Sequence, residues 1–188
     1  MAIKIIDTNL PEVKVLQPNV FEDKRGFFYE SYNERDFCIA IDKKIKFVQD
    51  NHSKSFKGVL RGLHYQIQKP QAKLVRVVNG SIFDVAVDIR KDSPNFGSWF
   101  GTTLSAKNYK QLWVPTGFAH GFLVISEEAE VIYKTTDFYY PEFERTIKWN
   151  DEDISIDWPN ENLSINLSEK DNAGLKLKDS ELPNTNIK

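Results

Sequence analysis

The chain has 188 residues, enough for one domain with a sizeable core. Its formal net charge of −2, with 28% charged residues, leaves no global basic field and argues against sequence-independent nucleic-acid binding, so any anionic ligand must be held by a few local Arg and Lys side chains. One cysteine, Cys38, excludes an intrachain disulfide and fits a reducing compartment. No stretch approaches a membrane span and the N-terminus lacks a signal-peptide core, so the expected location is the cytoplasm.

Residues Ile3–Ile6 and Val13–Gln17 read as short strands split by Asn9-Leu10-Pro11. Next, a charged turn closed by Gly26 separates Phe21 from an aromatic strand ending at Glu30, with Arg25 in the turn. Asn33 to Ile41 has the pattern of a short helix, Asn33 serving as N-cap and Asp36 at the third helical position. Phe47–Ser53 reads as a strand running into a polar cluster, and Lys54–Gly58 as a loop.

The stretch Val59 to Ile89 concentrates the candidate chemistry: Arg61 and His64, a Pro70 break, Lys73 opening a β-branched run, an Asn79-Gly80 turn and a return strand carrying Asp84. Asn-Gly between alternating apolar runs predicts a hairpin, because a type I′ turn needs positive φ at both central residues. In that register Val75 faces Asp84, and Lys73 and Asp84 become diagonal neighbours on one sheet face. Arg61 and His64 are three apart, so a regular strand points them to opposite faces, unless a bulge at Gly62 re-aims one of them. On local sequence His64 is equally a satisfied core imidazole or a catalytic base.

After a turn-rich loop at Lys91–Gly97, strands are expected at Trp99–Leu104 and Lys110–Val114, the latter leading into Pro115-Thr116-Gly117-Phe118-Ala119-His120. A second hairpin is expected from Gly121–Ser126 and Ala129–Thr136 around Glu127-Glu128, with Tyr133 on its second strand. From Ile147 onwards the sequence reads as a polar tail of weak periodicity. Many short strands with Gly, Pro and Asn turns and a high aromatic content predict an all-β sandwich or barrel.

His52, His64 and His120 are the only histidines, and none lies two or four residues from another, which argues against a zinc site. There is no Gly-x-Ser-x-Gly elbow and no Gly-rich phosphate loop. What remains is two histidines, a lysine, a tyrosine and scattered carboxylates, a set suited to proton transfer at carbon next to a carbonyl.

The segment LRGLHYQ with Lys73-Leu74-Val75-Arg76-Val77, the PTGFAHGF box, YKTTDFYYPEFERTIKWND and LSEKDNAG together resemble the dTDP-4-dehydrorhamnose 3,5-epimerase family over nearly the whole chain. The resemblance implies an all-β cupin-type jelly roll, or double-stranded β-helix, with short peripheral helices. Length predicts a single domain over residues 1–188, and the terminal residues read as a poorly ordered tail from about residue 180. The resemblance further implies a homodimer that uses no metal or cofactor, engages neither nucleic acid nor membrane, and inverts C3 and C5 of dTDP-4-dehydro-6-deoxy-D-glucose. Residue by residue, His64 matches the base, oriented by Asp171; Tyr133 matches the acid on the opposite face; Lys73 matches the residue beside the developing enolate.

Among substrate contacts, Arg25, Glu30, Gln49, Asn51, Arg61, Glu144 and Lys170 match the nucleotide sugar's partners, Arg25 and Arg61 as pyrophosphate ligands. Tyr139 matches the ring on thymine, Phe21 flanks the base, His120 lines the sugar pocket and Asp84 holds the Lys73 ammonium. Related activities on such a scaffold are a single-centre epimerase, a 3,4-ketoisomerase and a catalytically silent nucleotide-sugar-binding cupin. The silent form is expected to lack part of the acid–base set, which this chain keeps.

Overall fold

The short alternating runs fold into antiparallel strands; the computed structural model describes residues 3–161 and 163–183. The first strands are β1 (Lys4–Asp7) and β2 (Lys14–Gln17), then an outlying hairpin of β3 (Phe21–Asp23) and β4 (Gly26–Phe28). After helix α1 (Glu34–Ile41) come β5 (Gln49–Phe56), β6 (Leu60–Gln66), β7 (Lys73–Asn79) and β8 (Ser81–Asp88). Then follow β9 (Trp99–Ser105), β10 (Gln111–Val114), β11 (Phe118–Val124), β12 (Glu128–Thr135) and β13 (Glu144–Thr146), with a short helix α2 (Glu169–Asn172) near the C-terminal end.

Two sheets carry nearly all of these strands, in the orders β1-β2-β10-β7-β12-β5 and β13-β6-β11-β8-β9. From β5 to β8, and again from β10 to β13, each strand lies in the sheet opposite to the one before it. That alternation makes the architecture a cupin-type jelly roll, in which the chain winds around the gap between two packed sheets.

Both expected hairpins are therefore corrected. Asn79-Gly80 does reverse the chain, but β7 joins the six-stranded sheet and β8 the five-stranded one. The same holds for β11 and β12 around Glu127-Glu128. The reason lies in the strands: β7 buries both Leu74 and Val75, and β8 both Ile82 and Val85, so each needs cover on two faces. Pairing the two as one exposed hairpin would leave half of that apolar surface in water. Gly80 (φ +73°) makes the crossing, and the Glu128 carbonyl fills the space a Cβ would need. The Lys54–Gly58 loop is also shorter than expected, because β5 stays paired with β12 as far as Phe56↔Glu128.

The gap between the sheets is filled by inward side chains such as Val75, Val77, Ile82, Leu112, Phe122 and Val131. On the outer face of the six-stranded sheet, Phe37 of α1 is buried edge-on against Trp113, with ring centroids 5.3 Å apart. Burying such a ring contributes about 2–3 kcal/mol. Asn33 caps α1 as its sequence predicts, its side chain accepting the Asp36 N–H at 3.2 Å.

The segment after Ile147 is more than a polar tail. Ile154, Trp158 and Leu177 from it cover the outer face of the five-stranded sheet. Its sparse apolar residues follow no helix or strand period because they approach the sheet from irregular backbone. Packing continues past residue 180: Glu181 accepts from Tyr65 through its carbonyl at 2.8 Å and pairs with Arg145 at 2.7 Å. The rest of the expected tail, residues 184–188, lies outside the described residues.

Candidate active site

The site begins at a break in strand register. Between β6 and β11, His64 pairs with His120 but Arg61 with Phe122, so the register slips by one residue across Gly62. Gly62 has φ +119°, and a Cβ built on it would lie 2.5 Å from Gly121 Cα and 2.7 Å from the His120 carbonyl oxygen. The bulge anticipated at this glycine turns both Arg61 and His64 into one cavity of about 280 Å³. Regular alternation would have separated them.

The same glycine helps hold the partner of His64. Its N–H donates to Asp171 Oδ1 at 3.1 Å, and that oxygen lies 2.6 Å from His64 Nε2. Ser168, the N-cap of α2, accepts the Asp171 N–H at 3.2 Å and donates its hydroxyl to Asp171 Oδ2 at 2.6 Å. Burial by itself would raise the Asp171 carboxyl. His64, Ser168 and the Gly62 N–H outweigh it and hold the carboxyl well below its usual range. Burial pushes the His64 imidazole down; Asp171 opposes this, while Lys170 and Lys73 add to it. The imidazole is therefore neutral at neutral pH, the state a base needs.

The facing wall comes from the six-stranded sheet. Tyr133 of β12 pairs with Asn51 of β5 and Val75 of β7, which makes Lys73 its diagonal neighbour. Gln49, Asn51 and Ser53 alternate along β5 into the same cavity. Burial pushes the Lys73 ammonium down to about 8, with Glu144 and Asp84 opposing and Lys170 adding. Burial also raises the Tyr133 phenol, so it keeps its proton at neutral pH.

Asp84 and Lys73 are not hairpin neighbours, because their strands lie in different sheets. Asp84 instead bonds His120 on the adjacent strand β11, Oδ1 to Nε2 at 2.7 Å, and influences Lys73 across the gap. Two histidine–carboxylate dyads thus stand side by side on the five-stranded wall.

The rim is built from Tyr139, Glu144 and Lys170. The Tyr139 hydroxyl donates to Glu144 Oε2 at 2.8 Å, and Lys170 Nζ lies 2.9 Å from both Glu144 oxygens. Burial alone would raise Glu144, but Lys170, Tyr139 and His64 hold it low.

Of the residues expected at the site, His64, Lys73, Tyr133, Gln49, Asn51, Arg61, His120, Tyr139, Glu144 and Lys170 line the cavity, with Asp171 and Asp84 directly behind two of them. Phe21, Arg25 and Glu30 do not. Phe21 and Arg25 sit on the exposed β3–β4 hairpin, while Glu30 is near Asn33, 3.5 Å from its side-chain amide. Ser53, Gln71 and Phe122 also line the cavity without having been singled out. Of these, alternation with Gln49 and Asn51 along β5 could have found Ser53.

A two-sheet jelly roll holding a buried lysine, a protonated tyrosine and carboxylate-backed histidines around one cavity defines a cupin-type acid–base enzyme. The family model of dTDP-4-dehydrorhamnose 3,5-epimerase matches residues 7–179, and the chain belongs to that family. It is 56% identical to the dTDP-4-dehydrorhamnose 3,5-epimerase of Pseudomonas aeruginosa over 172 residues, covering 92% of this chain and 94% of that protein. A similar solved structure is the dTDP-6-deoxy-D-glucose-3,5-epimerase of Legionella pneumophila in complex with dTDP-4-keto-L-rhamnose. It has a TM-score of 0.93 and 48% identity, covering 97% of this chain and 98% of that one. A 3′-monoepimerase of Streptomyces bikiniensis in complex with dTDP-quinovose is also similar, with a TM-score of 0.89 and 29% identity, covering 95% of this chain and 92% of that one.

The bulge gives a first test. Gly62→Ala forces a Cβ into backbone at a φ that disfavours L side chains. It should cost about 3 kcal/mol or more in urea unfolding, and the surviving folded protein should lose activity as Arg61 and His64 are displaced.

Proposed function

We propose that this chain inverts C3 and C5 of dTDP-4-dehydro-6-deoxy-D-glucose, giving dTDP-4-dehydro-L-rhamnose. The observation that carries the mechanism is that base and acid belong to different sheets facing one cavity: His64 to the five-stranded wall, Tyr133 to the six-stranded wall. Inversion needs that separation, because one group working alone returns the proton to the face it left. His64, neutral and backed by Asp171, removes the proton next to the 4-keto group. The Lys73 ammonium stabilises the enolate oxygen, and Tyr133 delivers a proton from the other side. A positioned general base of this kind is worth roughly 10²–10⁴-fold.

Arg61, Lys170, Gln49, Asn51 and Tyr139 hold the nucleotide and diphosphate at the mouth, a guanidinium fork matching phosphate oxygens. Phe21 and Arg25 reach a site by way of a second copy. In this reading the protein is a cytoplasmic homodimer whose whole chain acts as one domain, and the exposed β3–β4 hairpin of one subunit completes the site of the other. Phe27 and Phe28, 59% and 63% exposed on that hairpin, are the apolar surface such pairing would cover.

Three tests follow from this chemistry. In D₂O, NMR of the 4-keto substrate with purified protein should show deuterium entering at both C3 and C5. His64→Asn should abolish both exchanges while dTDP still binds. Tyr133→Phe should lower net inversion by orders of magnitude but exchange much less; exchange at C3 alone in the wild type would make this a single-centre epimerase.

The second test is pH. Enolate stabilisation needs the ammonium form, which is lost as pH rises through the Lys73 value of about 8. The alkaline limb of kcat/KM should therefore fall near there, far below an ordinary lysine. Glu144→Gln, which deletes the strongest force opposing burial, should move that limb lower still.

The third is complementation. Arg25→Ala and His64→Asn proteins, each nearly inactive, should regain about a quarter of wild-type activity after mixed refolding, since half the dimers then hold one intact site. No recovery, or a monomer by light scattering, would argue against a shared site.

A further inference from the structure

Gln66 ends β6 two residues after His64, is only 4% exposed, and pairs across the sheet with Glu144. Its amide is fully used, and wholly on backbone. The Nε2 group donates to the Lys69 carbonyl at 2.7 Å and to the Phe138 carbonyl at 3.3 Å, and Oε1 accepts the Tyr140 N–H at 2.8 Å. The last two bonds bracket Tyr139. The N–H of Tyr139 itself donates to Gln49 Oε1 at 3.2 Å, and its hydroxyl to Glu144.

The segment from Asp137 to Tyr140 carries the chain from one sheet to the other across the cavity mouth, outside the strands of either sheet. Side-chain amides do the work that a ladder does elsewhere: Gln66 from the five-stranded sheet, Gln49 from the six-stranded one, and Gln71, which donates to the Asp137 carbonyl at 2.8 Å. Of these, only Gln66 is buried and grips the backbone on both sides of Tyr139. Two donors and an acceptor in one planar group are needed. Leucine supplies none of them, and glutamate would set a charged oxygen against two carbonyls.

We infer that Gln66 is a positioning residue for substrate binding: it fixes the Tyr139 segment at the mouth of the cavity and so sets the affinity for the nucleotide part of the substrate. The inference rests on the nucleotide-sugar function proposed above. The hydrogen bonds of the Gln66 amide go to rim backbone and to none of His64, Lys73 and Tyr133, so its loss acts on binding before it acts on turnover.

The test uses the full-length protein, the 4-keto sugar nucleotide and dTDP. Gln66→Leu should raise KM and the dTDP Kd about tenfold, with kcat within about twofold of wild type, as expected when one buried polar anchor of a binding segment is lost. Tyr139→Ala should weaken dTDP binding in the wild-type background, and in the Gln66→Leu background it should add little, because the ring is already released. If Gln66→Leu does not fold, Gln66→Met keeps the unbranched length of the side chain without its donors and acceptor or a buried charge, and carries the same expectation.

An unchanged dTDP Kd, or a Tyr139→Ala effect that adds in full, overturns the inference. A fall in kcat with KM and Kd unchanged also overturns it, since that is what general loosening of the fold would do. Wild-type protein that neither binds dTDP nor exchanges deuterium would overturn the nucleotide-sugar function and this inference together. Wild type that does both, beside unaltered Gln66 variants, removes only the role of Gln66.

Discussion

A lysine enclosed between two sheets is the constraint on which the rest of the site depends. Lys73 opens an inward row whose next members are Val75 and Val77, so its ammonium enters the gap that the core otherwise fills with hydrocarbon. A cation there is tolerated only if carboxylates answer it, and Glu144 and Asp84 do so from the other sheet. Asp84 in turn is wholly buried and takes His120 as its hydrogen-bond partner. Each charge brings in the next, and the polar end of the gap becomes a reaction chamber while the end lined by Val77, Val131 and Ile82 remains core.

Jelly-roll winding gives that chamber two chemically distinct sides. Because successive strands alternate between sheets, β6 and β7 stand across the gap from each other, although only the turn region around Pro70 joins them. The imidazole wall and the ammonium–phenol wall thus come from adjacent chain segments. The depth between them is set by packing of the hydrophobic layer rather than by any loop. Such a layer resists small changes of spacing, which suits a reaction needing groups above and below one sugar ring.

Much of this was legible in the sequence, for identifiable reasons. Turn residues bounded the strands well, and Asn33 announced its helix through the cap it forms. Gly62 marked the bulge because only a residue without a Cβ fits against Gly121. What failed was partnership: Asn79-Gly80 encodes a reversal, and nothing local says whether the returning strand stays in its sheet or crosses to the next. The doubly apolar character of β7 and β8 held that information, since a strand covered on both faces cannot belong to an isolated hairpin. The Asp171–His64 contact spans over a hundred residues, and only likeness to a family suggested it. Gln66 escaped notice because a buried glutamine serving backbone looks, in sequence, like any polar strand end.

The bulge in β6 also bears on how the chain can change over time. Loss of the bulge without loss of a residue would restore regular pairing with β11 and send either Arg61 or His64 to the far side, whereas deleting the residue between Gly62 and His64 would leave the two side chains two apart on one face. A substitution at Gly62 that flattened the strand would thus separate the two roles proposed for these side chains, holding an anion and moving a proton. Relatives that keep the fold and the strand length but lack the bulge should therefore be compared residue by residue in three dimensions, because an ungapped alignment would equate side chains that face opposite ways.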